Sequence, residues 1–231
     1  MSRDAGQLWS VLVKSQDIFL LLKLASLAHR EAVVSRLGDA VGPAAWQDWL
    51  PDEDGDPDVE RSLYDSGFVN DESTSKEYGV RALAQSTGIS KTQVGLALQR
   101  CYDVGLAKPD RLTGVPRANN KALLEFVVYG LRYVFPAKPG EVTRGIATGL
   151  GAPVLEGKLM TAGDLVPVWP DPLGNTKGVA VEPLYKTVTR AVRRDSRLYA
   201  LLALADAIRL GQPRERNLAG EVLAQMLRDE R

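Results

Sequence analysis

Two short helical patterns that meet at a glycine constrain this chain more than any other feature. The first occupies residues 81–85 and is followed by Gly88, which can take the left-handed conformation after a helix end without strain. The second follows Ser90, and Gln93 three residues later completes the spacing of a capping box. Apolar side chains at helical spacing give the second helix an inward face: Val94, Leu98 and Cys101. The pattern predicts two helices joined by a turn of about three or four residues.

Three residues fit the packing of such a helix pair. Ala84 is small where the helices would cross, Gly88 allows the turn, and Val94 fills the angle between the helices. This spacing is typical of the helix-turn-helix arrangement, in which the second helix enters the major groove of DNA.

Residues 106–117 predict a basic hairpin directly after the second helix. The segment contains three residues that favour turns, Pro109, Asp110 and Gly114, as expected for two short strands around a turn. Its bases are Lys108, Arg111 and Arg117. Such a hairpin can lie along a phosphate backbone and add salt-sensitive affinity, and the alternative is a hairpin that only meets solvent.

The run ISKTQVGLALQRCYDVGLAK, residues 89–108, resembles the recognition helix and the start of the wing in bacterial MarR-like winged helix-turn-helix regulators. The resemblance covers residues 15–27 and 78–135, and the segments GLRYVFPA, VPVWPDPLG and EPLYKTV are similar to an uncharacterised subgroup of such proteins. It implies a homodimer that binds double-stranded DNA and regulates transcription, as a repressor of its own or a neighbouring operon. The DNA-binding residues that it implies are Ser90, Lys91, Thr92, Gln93, Gln99, Arg100, Lys108, Arg111 and Arg117.

Within this set, Thr92 and Gln93 carry donors and acceptors suited to base edges, whereas the basic side chains suit phosphates. The chain departs from the family at Gly95 and Leu96, where many members have Ser and Arg. Leu96 could contact a thymine methyl group, and Gly95 could allow a close approach of the backbone. The alternative is that this helix packs on another protein, which would make the chain an interaction module such as an antitoxin or a defence-system partner.

Charge is segregated along the chain, although 29 bases balance 29 acids. Residues 28–77 hold 4 bases and 13 acids, and residues 78–144 hold 10 bases and 4 acids. The acidic run at residues 52–58 does not fit an EF-hand, because Pro57 and Leu63 stand where the loop needs Gly and Glu. We interpret residues 28–77 as an acidic insertion containing a solvated loop, with competition against DNA phosphate for the basic face as the alternative.

Few residues of the chain suit catalysis or metal binding. Cys101 is the only cysteine and His29 the only histidine, which excludes an internal disulfide and a His-rich metal site. Phosphate-binding loops and nucleophile elbows are absent from the sequence, so we expect no enzyme, no catalytic residue, no metal ligand and no cofactor. His29 is expected at a helix end. The apolar run at residues 18–28 contains Lys23 and is shorter than the roughly 20 residues of a spanning helix, so we expect a buried first helix, no membrane partner and a cytoplasmic protein.

The second half of the chain predicts an irregular segment followed by helices. Asn120 and Gly130 bound a helical pattern, and residues 131–136 alternate like a strand. Residues 136–183 mix Gly and Pro with Val, Leu and Trp, which predicts compact structure with short strands. Further helices are expected to begin at Pro183, Asp195 and Pro213.

The predicted fold class is therefore α+β and mostly helical. We divide the chain into a winged-helix domain, residues 1–135, which includes the acidic insertion, and a dimerisation or effector region, residues 136–231. The apolar stripes of residues 9–27 and 198–227 are expected at the dimer interface. Three side chains could line a pocket for a small-molecule effector, with core packing as the alternative: Tyr133, Arg144 and Trp169.

Overall fold

The computed structural model describes residues 12–37, 46–50, 76–158 and 165–228 of the chain. Over these residues the fold is α+β and mostly helical, with one sheet of two strands and one of three, which confirms the predicted class. The helices are α1 (Ser15–Leu37), α2 (Val80–Thr87), α3 (Lys91–Asp103), α4 (Asn120–Tyr129), α5 (Leu131–Val134), α6 (Val188–Val192), α7 (Ser196–Leu210) and α8 (Pro213–Arg228). The strands are β1 (Ala107–Pro109), β2 (Pro116–Ala118), β3 (Pro139–Ala147), β4 (Pro167–Pro170) and β5 (Thr176–Val181). Two short 3-10 helices, Gly149–Gly151 and Pro153–Leu155, follow β3.

Helix α1 is the buried first helix that the apolar run predicts. Residues 18–22 are fully enclosed. The charge of Lys23 is tolerated there because its ammonium group bonds the Asp195 carboxylate at 2.8 Å. The helix continues to Leu37, so the expectation that His29 lies at a helix end is wrong. None of the helices within the described ranges is long and apolar enough to cross a membrane.

Helices α2 and α3 are joined by three residues, which confirms the predicted pair and its turn. Gly88 has φ +71° and donates its N–H to the Ala84 carbonyl, as a left-handed helix end requires. The Ser90 hydroxyl caps α3 by accepting the N–H of Gln93 at 3.4 Å. The reciprocal half of the predicted capping box is replaced by a tertiary bond, since the Gln93 side chain accepts from the Gln16 amide at 3.0 Å.

Strands β1 and β2 form the predicted antiparallel hairpin, with Lys108 opposite Arg117. The Asp110 carboxylate holds the turn by accepting the N–H groups of Leu112 and Thr113 at 3.0 and 2.9 Å. Gly114 closes the turn at φ +71°.

The segment after the hairpin differs from its prediction in two places. The cap of α4 is Asn119, whose side chain accepts the N–H of Ala122, and Asn120 is the first residue of the helix. The predicted strand at residues 131–136 is wrong, because Leu131–Val134 form the short helix α5. An alternation over six residues fits a helical turn equally well when one side chain, here Leu131, is buried and its neighbours face outward.

The Gly- and Pro-rich segment folds as a closed three-stranded sheet, so the predicted short strands are confirmed. Strand β3 pairs antiparallel with β4 and with β5, and β4 pairs parallel with β5. Residues 46–50 dock on it through Asp48, which accepts the N–H of Ala147 and the hydroxyl of Thr176. A side chain at Gly145 would overlap the carbonyl oxygen of Trp169, which is why the tight closure needs glycine there.

Helix α7 runs through the centre of the molecule. Its residues 198–209 are all buried, and Asp195 caps it by accepting the N–H of Leu198 at 2.9 Å. The predicted starts at Asp195 and Pro213 are confirmed, whereas α6 begins at Val188 and not at Pro183.

Within the described residues, most of the apolar side chains that were expected at a dimer interface, from residues 18–27 and 198–227, pack inside one chain. Buried residues of α1, α3, α4, α7 and α8 belong to one hydrophobic cluster that spans both halves of the chain. The prediction of an interface built from residues 9–27 and 198–227 is therefore wrong for residues 198–208, because their side chains already have partners within the monomer. The boundary at residue 135 remains a prediction.

Candidate nucleic-acid interface

The outward face of α3 and its cap carry four of the nine residues that the sequence selects for DNA contact. All four are exposed: Ser90, Lys91, Thr92 and Gln99. Gly95 and Leu96 continue the same stripe one turn after Lys91 and Thr92, and Leu96 is 48% exposed. A Cβ added at Gly95 would meet no atom within 4 Å, so the space above the middle of this face is open. Gln99 donates to Asp103 at 2.8 Å.

The structure contradicts the prediction for Arg100, because its side chain faces inward. Its guanidinium forms two hydrogen bonds with the Asp17 carboxylate, at 2.8 and 2.6 Å, and the side chains are 8% and 0% exposed. The hydrogen bond with Asp17 raises the pKa of Arg100. The expectation of an outward, phosphate-binding Arg100 is therefore wrong. The ion pair fastens α3 to α1 and fixes how the exposed face of α3 is presented.

The hairpin presents a second exposed surface after α3. Lys108 and Arg111 are exposed, and Leu112 at the turn is 96% exposed. The hydrogen bonds from Thr113 and Leu112 lower the pKa of the Asp110 carboxyl. The turn is thus held from within while its basic and apolar side chains project outward.

Arg117 is not a free base of the hairpin. It forms an ion pair with Glu31 of α1 and donates to the Tyr78 hydroxyl at 2.6 Å, and that hydroxyl donates to Glu31 at 3.0 Å. The guanidinium also lies 4.6 Å from the centre of the Tyr78 ring. Its hydrogen bond lowers the pKa of Glu31, and burial raises the pKa of Tyr78. This network ties the base of the hairpin to α1, which leaves Lys108 and Arg111 as its outward bases.

A cavity of about 410 Å³ lies between α1 and the hairpin, beside this network. Small side chains of α1 form one wall, and Glu31, Asp110 and Arg117 supply the polar groups. A second cavity, of about 360 Å³, lies between the start of α2 and the hairpin.

The predicted effector pocket is not assembled by its three residues. Trp169 is buried and donates its indole N–H to Asp206 at 2.7 Å, whereas Tyr133 is 75% exposed. Arg144 is exposed on β3 and donates to the carbonyl of Gly174 at 2.6 Å. The prediction of an effector pocket is therefore wrong, and Trp169 has the core-packing role that was its alternative.

The buried carboxylate of Asp206 is a feature that sequence reasoning missed. It accepts from Trp169, from Thr148 at 3.0 Å and from Arg209 at 2.6 Å, while Arg209 also donates to the Phe135 carbonyl. Burial raises the pKa of Asp206. The spacing of Asp206 and Arg209 on a helix was a visible signal, but the sequence does not tell a buried pair from an exposed one.

Cys101 lies on the inward face of α3, as predicted, and is fully buried. Burial raises the pKa of its thiol to about 12, so it is a poor nucleophile at neutral pH. The acidic residues Asp52, Glu53, Asp54, Asp56 and Asp58 and the predicted interface residue Trp9 lie outside the described residues.

Comparison of the chain with protein-family models, curated proteins and solved structures gave no match. The interpretation of the α3 and hairpin surface therefore depends on its geometry and chemistry. That surface offers hydroxyl, amide and basic groups on one exposed helix, followed at once by a short hairpin with two outward bases. These groups can bind by hydrogen bonding and charge, and they supply no activated nucleophile or general base.

Proposed function

We propose that the protein is a sequence-specific, duplex-DNA-binding regulator of transcription with a winged helix-turn-helix interface. The observation that carries the proposal is the order and exposure of the elements: a helix pair with a left-handed glycine turn, an exposed second helix, and an antiparallel hairpin directly after it. In this arrangement α3 enters the major groove and the hairpin follows the adjacent backbone.

The chemistry of the two exposed surfaces supports a division of tasks. Thr92 has a donor, an acceptor and a methyl group for base edges, and Leu96 offers apolar contact to thymine. Lys91, Lys108 and Arg111 supply the charge that phosphates require. Because Arg100 and Arg117 are held by Asp17 and Glu31, we leave them out of the DNA-contacting set.

A homodimer is part of the proposal, because one recognition helix reads few base pairs and paired helices read half-sites about 34 Å apart. Exposed apolar side chains on α4 and α5 favour this surface for the contact between copies: Tyr129, Tyr133 and Val134. Sedimentation at micromolar concentration tests the dimer, and a monomer that binds a single half-site contradicts it.

The test of DNA binding measures affinity for the DNA beside the gene by fluorescence anisotropy over a series of salt concentrations. We expect a steep decrease of affinity with salt, and K108A/R111A should lower the slope of log affinity against log salt by up to about 2. The control K138A/K177A removes the same charge from exposed positions near and on the three-stranded sheet and should leave the slope unchanged. T92A should instead alter sequence preference, by about 1–3 kcal/mol at particular base pairs.

A second function is favoured by one specific observation, the exposure of Leu96 on α3 and of Leu112 at the hairpin turn. Two outward leucines on adjacent elements suit a protein partner better than they suit phosphate. Failure of the wild-type protein to bind any duplex at low salt would sink the DNA proposal and leave the protein-interaction module as the function to pursue.

A further inference from the structure

A basic segment from the second half of the chain lies against the turn between α2 and α3. The Thr187 hydroxyl donates to the carbonyl of Thr87, the last residue of α2, at 2.5 Å. The contact is close enough that a Cβ added at Gly88 would lie 2.8 Å from the Thr187 Cγ2 atom. Residues that flank Thr187 are therefore neighbours of the helix-turn-helix turn, although about 100 residues separate them in sequence.

The residues on either side of this contact are basic and exposed. Lys186 immediately precedes Thr187, and Arg190 follows it by three residues, within one turn of α6. Residues 183–194 contain four bases and no acid. One of them, Arg193, is held by an ion pair with Asp171, whereas the side chains of Lys186 and Arg190 are exposed to solvent.

The inward contacts of the segment fix its position. Leu184 and Val188 are buried, and the ring of Tyr185 stacks on Phe19 of α1 with centres 6.1 Å apart. With these side chains anchored in the core, the two bases are presented by a rigid segment, and little conformational entropy of the backbone remains to be lost on binding.

We propose that Lys186 and Arg190 bind phosphates of the DNA strand that runs past the turn before α3, and so extend the interface beyond the helix pair and the hairpin. The inference depends on the proposed DNA binding and deepens it. Ser90 and Lys91 begin α3 on the far side of the same turn, so a duplex that meets the start of α3 passes close to Lys186. A third group of basic residues then lies beside the turn before α3, and its phosphate contacts help to fix the register of the recognition helix in the groove.

The experiment compares the full-length wild type, K186A/R190A and the charge-matched control K138A/K177A by anisotropy on a random-sequence duplex over a series of salt concentrations. A phosphate contact contributes about 0.9 to the slope of log affinity against log salt, so K186A/R190A should lower the slope by about 2. The control should keep the wild-type slope. Urea denaturation of each variant checks that the free energy of unfolding is retained, as expected for exposed side chains.

The outcomes separate this inference from the proposed function. A wild type that binds no duplex, or binds with no dependence on salt, overturns both. A steep wild-type slope that K186A/R190A preserves overturns only the inference, and DNA binding by α3 and the hairpin then stands. An equal loss in K186A/R190A and in the control also overturns it, because the effect is then one of net charge and not of position.

Discussion

Replacing Arg100 with methionine should destabilise the protein strongly although it removes no proposed DNA contact. The substitution keeps an unbranched apolar stem but leaves the Asp17 carboxylate, which is fully buried, without its two charged hydrogen bonds at 2.6 and 2.8 Å. Breaking a buried ion pair from one side costs about 3–5 kcal/mol, because the remaining charge has lost the solvent and the partner together. The backbone N–H of Lys14 also donates to the Asp17 carboxylate at 2.9 Å, but this neutral donor does not compensate a charge.

The double variant D17L/R100M tests whether the loss of stability in R100M comes from the unpaired charge of Asp17. Removing both charges eliminates the desolvation penalty, so the double variant should be more stable than R100M. Its remaining deficit should be the lost cap on Lys14, about 0.5–2 kcal/mol. The coupling energy between the positions should therefore be large and favourable to the pair.

Urea denaturation followed by circular dichroism measures the free energy of unfolding of the wild type, D17L, R100M and D17L/R100M, and the midpoint shift at constant slope gives each difference. Anisotropy with a DNA duplex, corrected for the folded fraction, should show the wild-type salt dependence for R100M. A loss of under about 1 kcal/mol for R100M, together with a reduced salt slope, would refute the buried placement and restore Arg100 as a phosphate contact.

Two further perturbations test the turn and the α1–hairpin network. G88A should destabilise the protein by at least about 1–2 kcal/mol, because φ is +71° at Gly88 and Thr187 occupies the space where the new Cβ would lie. G95A should stabilise the protein by about 1 kcal/mol, because Gly95 lies in a helix and has open space around it. Thermal unfolding should therefore show midpoint shifts of opposite sign for the two variants. For Glu31, the Arg117 hydrogen bond holds the folded-state pKa below the ordinary value of 4.5, so its contribution is present above pH 4.5 and is lost as the pH falls through the lower folded value. Stability of E31Q should therefore fall less than that of the wild type in this acid range, and parallel curves for the two proteins would show that Arg117 does not stabilise the carboxylate.

Local signals in the sequence determine the elements around the candidate interface. The glycine at position 88, the Ser90 cap and the inward positions Val94 and Cys101 act within one or two helical turns, where backbone conformation and capping are decided by neighbouring residues. The hairpin is equally local, because Asp110 and Gly114 form its turn without help from other elements. The prediction of a strand at residues 131–136 is wrong because a six-residue pattern carries too little local information. Burial of Leu131 against the rest of the fold decides that this segment is helical.

Tertiary structure alone decides which side chains of the candidate interface are exposed. Arg100 and Lys91 are both bases on α3, but only Arg100 is a core residue, because it forms a buried ion pair with Asp17 of α1. In the same way, the ion pair with Glu31 holds Arg117 and makes it unavailable to a ligand. The contact of Thr187 with Thr87 places Lys186 and Arg190 near the turn, although about 100 residues separate the two segments in sequence. The sequence thus determined where the helix pair and the hairpin form, because those features depend on neighbouring residues. The fold decided which of their charges remain exposed, because a buried charge must find a partner wherever the chain supplies one.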